Sequence, residues 1–281
     1  MAAIFASATA RALPLGMDIT ISDRNNNGSN PVIPSNWYSD REDNETETNP
    51  NTINAQVWDL EGMYLNGSKL TLLGGFDFKN GTHYDGYVWK GGDIFIDIGG
   101  NGAIYGQTAN GGSGTTQYSN IQPIATSNLF GYDYVLDIGA FFGNTFAFNI
   151  VQLTPGNTLL TRAADVAASN PWTYQSGGTV MGGGVGDYGL LAASDFPSGG
   201  LLGYGSNNNH FYMTVDLASV PGIAGTDIFH YTIECGNDDL MGRAQIPAQS
   251  PPPHVPDMGS TALLFSITFL GIEAFRRKFR A

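Results

Sequence analysis

Short segments in which hydrophobic and polar residues alternate recur along most of the chain and predict a β-rich protein. The segment at residues 18–22 reads Asp-Ile-Thr-Ile-Ser, so its two isoleucines share one face of a strand. Only residues 160–168 favour a helix. Further strands are predicted at residues 56–65, 69–78, 86–89, 93–98, 133–138, 145–153, 210–217 and 228–234. This order favours an all-β body, an antiparallel and jelly-roll-like β-sandwich, over alternating βαβ units.

Glycine and asparagine mark the predicted connections between these strands. The dipeptide Asn66-Gly67 separates two of them and predicts a hairpin. Residues 23–54, which are dense in Asn, Asp, Glu and Pro, are predicted to be a loop, as are the glycine-rich residues 99–114 and 177–189. The run Gly-Gly-Gly-Val-Gly within the last of these lacks the Lys-Ser/Thr pair of a phosphate-binding loop, so we interpret it as a flexible loop.

Two of the predicted strands share the pattern Asp-x-x-x-Asp-Ile-Gly, at residues 93–99 and 133–139. Residues two and four apart in a strand lie on one face, so Asp93 and Asp97 are predicted to lie opposite Ile94 and Ile96. The hydrophobic face belongs to the core. The carboxylate face, to which Asp137 belongs on the second strand, faces either solvent or a cation.

The net charge of the chain limits the classes of partner that it can bind. The 281 residues include 12 Lys and Arg against 25 Asp and Glu, which gives a formal net charge of −13. So few basic residues exclude a nucleic-acid partner, because no basic patch could neutralise many phosphates. The acidic, lysine-poor body suits a solvated extracellular protein. The single cysteine, Cys235, excludes an internal disulfide and is predicted to be a small buried hydrophobic residue.

The C-terminal region has three parts in a fixed order. A proline-rich stretch at residues 246–254 predicts a stiff, extended linker. Residues 260–275 are almost entirely hydrophobic and would span about 24 Å as a helix, slightly less than the roughly 30 Å of a bilayer core. A basic end follows, which consists of Arg276, Arg277, Lys278 and Arg280. We interpret this as a membrane helix with its basic end in the cytoplasm; an amphipathic core helix is the alternative.

This C-terminal region resembles the PEP-CTERM class of sorting signal, in its VPDSG-like variant. The resemblance is carried by Val255, Pro256, Asp257 and Gly259, then by the short hydrophobic helix and the basic end. It implies processing by an exosortase, an integral-membrane cysteine protease of Gram-negative bacteria. The body also resembles exosortase-dependent surface proteins, at residues 58–62, 73–78, 92–97, 131–134 and 234–238.

Four regions follow from these patterns. Residues 1–17 are interpreted as the remnant of an export signal, because they contain two small-x-small patterns; an ordinary disordered N-terminus is the alternative. Residues 18–245 form the β-sandwich body. Residues 246–254 form the linker, and residues 255–281 form the sorting signal.

Calcium is the one cofactor that the residues support. Asp23, Asn25 and Asn27 match the opening of a calcium loop, although Pro34 stands where a glutamate should close it. An Asn-rich turn is the alternative. The carboxylates of Asp93, Asp97 and Asp137 offer a second location. Zinc is disfavoured because the four histidines do not occur at metal-binding spacings.

We therefore expect a non-catalytic, exported protein of the cell surface or extracellular matrix, transiently anchored in the inner membrane and then processed by an exosortase. Its role would be structural or adhesive, with exopolysaccharide as a candidate partner. The chain has no Gly-x-Ser-x-Gly motif, and its carboxylates cannot be paired from sequence. The alternatives are a lectin-like or glycan-hydrolysing module and a tail-anchored cytoplasmic protein.

Overall fold

The computed structural model describes residues 15–21, 56–103, 123–162, 170–191, 210–236 and 238–246, all within one compact unit. These residues form strands and two short 3₁₀ helices, Gln56–Trp58 and Leu217–Ser219. The strands are β1 (Met17–Asp18), β2 (Thr20–Ile21), β3 (Leu60–Asn66), β4 (Lys69–Gly74), β5 (Thr82–Tyr84), β6 (Tyr87–Trp89), β7 (Ile94–Asp97), β8 (Pro123–Thr126), β9 (Tyr134–Phe142), β10 (Thr145–Gln152), β11 (Thr158–Arg162), β12 (Thr173–Ser176), β13 (Thr179–Leu191), β14 (His210–Asp216), β15 (Gly225–Thr232) and β16 (Asp239–Ile246). The predicted all-β, antiparallel class is confirmed.

Eleven of these strands form one antiparallel sheet that is nearly closed on itself. Its order is β1-β3-β4-β14-β13-β10-β9-β7-β15-β16-β2. The first and last members are consecutive in the chain, because only Ile19 separates β1 from β2. The Ile19 N–H donates to the Met63 carbonyl on β3, and the Ile19 carbonyl accepts from the Arg243 N–H on β16, both at 2.9 Å. Residues 17–21 therefore join the two ends of the sheet.

The main hydrophobic core takes side chains from strands all around this sheet. The residues that form this core are almost completely buried and come from strands throughout the sheet. Examples are Leu60, Leu70, Ile94, Leu136, Phe146, Met213, Phe229 and Leu240. A single cluster of this extent indicates that one face of the sheet encloses the main core.

A second core lies against the opposite face of β7, β9 and β10. There Phe95, Val135 and Val151 pack with Leu159 of β11 and with the half-buried Tyr174 of β12. Strands β12, β11 and β8 form a separate three-stranded sheet in that order. The small sheet therefore covers the outside of the large one, and residues on this outer face are buried as well.

The glycine-rich loop predicted at residues 177–189 is wrong, because most of it lies in β13. Two of its glycines instead leave room for aromatic rings of the neighbouring strand. A Cβ at Gly184 would lie 2.7 Å from Cζ of Phe148, and a Cβ at Gly186 would lie 2.3 Å from Cζ of Phe146. Glycine is needed on this strand for packing and not for flexibility.

Three smaller expectations also change. The helix predicted at residues 160–168 is wrong at its start, where β11 runs to Arg162, and residues 163–169 lie outside the described residues. The predicted hairpin forms, but Asn66 pairs with Lys69, so the turn consists of Gly67 and Ser68. Strand β16 was not predicted, although it is one of the most buried.

The predicted membrane helix at residues 260–275 lies outside the described residues, as do the N-terminal residues 1–14. Within the part of the chain that the structure describes, no helix has the length and hydrophobicity of a membrane span.

Candidate functional site

The carboxylates that the sequence singled out lie on the outer face of the large sheet. As predicted, Ile94 and Ile96 enter the main core while Phe95 lies on the opposite face of β7. Asp93 and Asp97 share that opposite face, yet they are 3% and 1% exposed. Of the two alternatives for this face, solvent or a cation, solvent is therefore wrong for Asp93 and Asp97, because the small sheet and the turn at residues 99–103 cover them.

Asp93 holds two neighbouring strands through its carboxylate. Its Oδ1 accepts the Ile138 N–H at 2.7 Å, and its Oδ2 accepts the Thr173 hydroxyl at 2.5 Å and the Tyr174 N–H at 2.8 Å. Burial raises the pKa of Asp93 to about 7, although these three donors lower it. Asp93 therefore links β9 of the large sheet to β12 of the small one, and both of its oxygens have partners within the protein.

Asp97 closes the turn that follows β7. Its Oδ2 accepts the N–H groups of Gly102 at 2.9 Å and Ala103 at 2.8 Å. Its Oδ1 is buried without a hydrogen-bond partner and lies 3.5 Å from the Cβ position that Gly102 lacks. One oxygen of this side chain therefore fixes the turn, while the other points into it unpaired.

Two further carboxylates bind the same turn. Asp133 Oδ2 accepts the Ile98 N–H at 2.8 Å, and Asp227 Oδ1 accepts the Gly99 N–H at 3.0 Å. Burial raises the pKa of both Asp133 and Asp227, and the negative charge of Asp97 raises both further. The sequence analysis did not select Asp227; its only signal was a position one residue before the predicted strand at 228–234.

Asp137 lies near Asp93, because its negative charge contributes to the raised pKa of Asp93. It is half-buried, and its Oδ2 accepts from Nδ2 of Asn149 at 3.2 Å. Both oxygens of Asp93 already accept hydrogen bonds within the protein, and Asp97 instead binds the turn that follows β7. Asp23, Asn25 and Asn27 lie outside the described residues. Among the described residues, no group of three or more His, Cys, Asp or Glu side chains is placed to hold a metal ion.

One histidine, His230, is buried on β15 close to the carboxylate of Asp239. His230 on β15 is fully buried, with Nε2 placed to donate to the Pro171 carbonyl at 3.0 Å and Nδ1 lying 3.2 Å from the Met241 sulfur. Its ring stacks on Tyr132 at 5.8 Å, and Nδ1 lies 3.8 Å from Oδ2 of Asp239. Burial lowers the pKa of His230 to about 4, so the ring is neutral near pH 7.

A second histidine, His210 on β14, is paired with the buried carboxylate of Glu61 on β3. His210 Nδ1 lies 2.8 Å from Oε1 and 2.9 Å from Oε2 of Glu61, and both side chains are almost inaccessible to solvent. This pair joins β14 to β3. Both His210 and His230 are therefore buried and have polar partners within the protein.

Several of the most buried carboxylates, namely Asp93, Asp97 and Asp227, accept hydrogen bonds from backbone N–H groups, which fixes loops and strand ends. Exposed tryptophans would favour the carbohydrate-binding alternative, because sugars stack on aromatic faces. Trp58 is buried, Trp89 and Trp172 are half-buried, and Trp37 lies outside the described residues.

Comparison with known proteins adds no relative: no protein-family model matches the chain, and neither a curated protein nor a solved structure matches it.

Proposed function

We propose that this chain is an exported protein of the bacterial cell surface or extracellular matrix, sorted by an exosortase and structural or adhesive in role. The observation that carries the proposal is the order of the C-terminal parts in the sequence. The residues Val255, Pro256, Asp257 and Gly259 precede a hydrophobic segment at residues 260–275 and a basic end. In this proposal the segment is a membrane helix until the exosortase releases the body.

The body fits this role in two respects. Its buried carboxylates, such as Asp93 and Asp97, bind backbone N–H groups and so act in stability. Its single thiol, Cys235, is buried, so the fold does not depend on the redox state of its compartment. We further infer that the nearly closed sheet is flattened into two packed layers, which is the jelly-roll-like sandwich that the strand pattern favoured.

Sorting predicts a shortened mature protein. In the native host, intact-mass analysis of the extracellular fraction is expected to give a chain that ends before Ala281, and deletion of the exosortase gene is expected to retain the full C-terminus. The matched control replaces Pro256 and Asp257 with alanine, which should block processing and leave the body folded. Recovery of a chain that still ends at Ala281 in both strains would refute sorting. Resistance of the body to protease shaving of intact cells would favour the tail-anchored cytoplasmic alternative.

A carbohydrate-binding role is the second candidate, because one hairpin displays aromatic rings. Tyr84 on β5 pairs with Tyr87 on β6, so both side chains share one face of the hairpin, and they are 53% and 44% exposed. Their rings lie 6.0 Å from Trp58 and 6.1 Å from Trp89, respectively. Exposed aromatic faces of this kind can stack on the apolar faces of sugar rings.

If this hairpin binds glycan, replacing both tyrosines should remove retention on the exopolysaccharide of the host. We expect Tyr84→Ala with Tyr87→Ala to abolish binding in affinity electrophoresis without changing the melting temperature. Phe142→Ala is the matched control, since Phe142 is a comparably exposed aromatic residue on another strand. Equal retention of the double variant, the control and the unmodified protein would exclude the hairpin as the binding surface.

A further inference from the structure

Asn-Gly dipeptides are chemically reactive positions of a polypeptide chain, and this sequence contains several of them. The backbone nitrogen after an asparagine can attack its carboxamide, and glycine permits the attack most readily because it has no side chain to obstruct the approach. The dipeptides begin at Asn27, Asn66, Asn80, Asn101 and Asn110. The structure describes those at residues 66–67, 80–81 and 101–102, and it gives them different surroundings.

The Asn80-Gly81 site is restrained by Asp77. The Gly81 N–H donates to the Asp77 carbonyl at 2.8 Å, and Nδ2 of Asn80 donates to Oδ2 of Asp77 at 2.7 Å. The nitrogen that would attack and the nitrogen that would leave are therefore both engaged in hydrogen bonds. A Cβ at Gly81 would also meet the Trp89 carbonyl oxygen, so this turn is closely packed.

The Asn101-Gly102 site is restrained by Asp97 in a similar way. The Gly102 N–H donates to Oδ2 of Asp97 at 2.9 Å. A Cβ at Gly102 would lie 2.5 Å from the carbonyl oxygen of Gly131, so another part of the chain packs directly against this glycine. The attacking nitrogen is therefore bound within a packed turn.

The Gly67 nitrogen has neither kind of restraint. Asn66 ends β3 and pairs with Lys69, and Gly67 has a φ of +63°, as the first residue of a two-residue hairpin turn requires. Within the described part of the chain, no oxygen accepts a hydrogen bond from the Gly67 N–H. A Cβ at Gly67 would meet nothing within 4 Å, and both Asn66 and Gly67 are exposed.

We propose that Asn66 is a site of spontaneous deamidation in the folded protein. The Gly67 nitrogen attacks Cγ of Asn66, and the new C–N bond closes a five-membered succinimide ring. The carboxamide nitrogen leaves as ammonia and takes the proton that the Gly67 nitrogen loses. Water, the one co-reactant, then adds to either imide carbonyl and opens the ring to aspartate or isoaspartate. This inference does not depend on sorting by an exosortase.

Deamidation would change the end of the β3–β4 hairpin in two ways. Either product adds a negative charge to a chain that is already acidic. Isoaspartate also adds one atom to the path of the backbone. Leu65, the residue before Asn66, pairs with Met17, so the added atom would lie next to the pairing between β3 and β1.

The test incubates the full chain at mildly alkaline pH and follows each Asn-Gly peptide by mass spectrometry, with electron-transfer fragmentation to separate isoaspartate from aspartate. We expect conversion at Asn66 to be about tenfold faster than at Asn80 or Asn101, because hydrogen bonds must open at those two sites before the attack. In concentrated urea, where the turns are lost, the three rates should become similar. This comparison needs no variant.

Asn66→Gln is the matched control, because glutamine keeps a carboxamide but closes a ring far more slowly. Residue 66 should then stay unmodified over the same period, with the melting temperature unchanged. Retention of the Asn66 amide in the folded chain, with conversion only in urea, would overturn the proposal and show that the hairpin prevents ring closure. Equal rates at the three sites in the folded chain would also overturn it, as would conversion of the glutamine as fast as that of Asn66.

Discussion

Gly186→Val is expected to destabilise the protein by about 3–5 kcal/mol, because the new side chain would displace an aromatic ring of the core. A Cβ at Gly186 would lie 2.3 Å from Cζ of Phe146 and 2.6 Å from the backbone oxygen of Thr214. Phe146 is fully buried, so it cannot move aside into solvent. The Thr214 oxygen belongs to the adjacent strand β14 and cannot move without disturbing the sheet.

Gly182→Val is the matched control on the same strand. A Cβ at Gly182 meets nothing within 4 Å, so valine should change the unfolding free energy by less than about 1 kcal/mol in either direction. Urea denaturation followed by tryptophan fluorescence measures both variants. Equal stability of the two would show that the Phe146 ring does not need the space above Gly186.

Two buried groups are expected to give opposite contributions to the pH dependence of stability. Asp93 has a pKa raised by burial from 3.8 to about 7, so its stabilising contribution is complete below pH 4 and is lost as the pH rises through 7. His230 has a pKa lowered by burial from 6.5 to about 4, so its contribution is complete above pH 6.5 and is lost as the pH falls through 4. Between pH 4 and 6.5 the two slopes oppose each other.

Single variants should show separately how each group makes the unfolding free energy depend on pH. In Asp93→Asn the contribution of His230, a rise in the unfolding free energy of about 3 kcal/mol from pH 4 to 6.5, is no longer opposed by Asp93. In His230→Gln, which keeps a donor for the Pro171 carbonyl, the unfolding free energy should fall by about 4 kcal/mol from pH 4 to 7. Urea denaturation at a series of pH values measures both. Parallel profiles for the two variants would contradict the opposed assignment.

The strand pattern predicted most of the sheet because alternation reports directly on local geometry. Ile94 and Ile96 were placed in the core from their spacing alone. The environment of Asp93 and Asp97 was not predictable in the same way, because Asp93 is covered by β12, which is distant in the sequence, and Asp97 by the turn at residues 99–103. Alternation separates the two faces of a strand, but it does not tell whether a second layer covers the polar one.

Two further features of the structure were missed in the sequence for the same physical reason. The glycines of β13 resemble a loop in composition, and their role appears only when Phe146 and Phe148 are placed beside them. The hydrogen bond from the Gly99 N–H to Asp227 depends on the register of β7 against β15, which residue types do not specify. Asp227 therefore could not be selected from the sequence as a residue that binds this turn.

The segment at residues 17–21 has a consequence for how copies of this protein can associate. It pairs with β3 on one side and β16 on the other, through strands of only two residues each. If this segment detaches, both neighbouring strands present unpaired edges of defined register. The same segment from a second copy satisfies the same hydrogen bonds, so strand exchange between two chains would link them without any new contact surface.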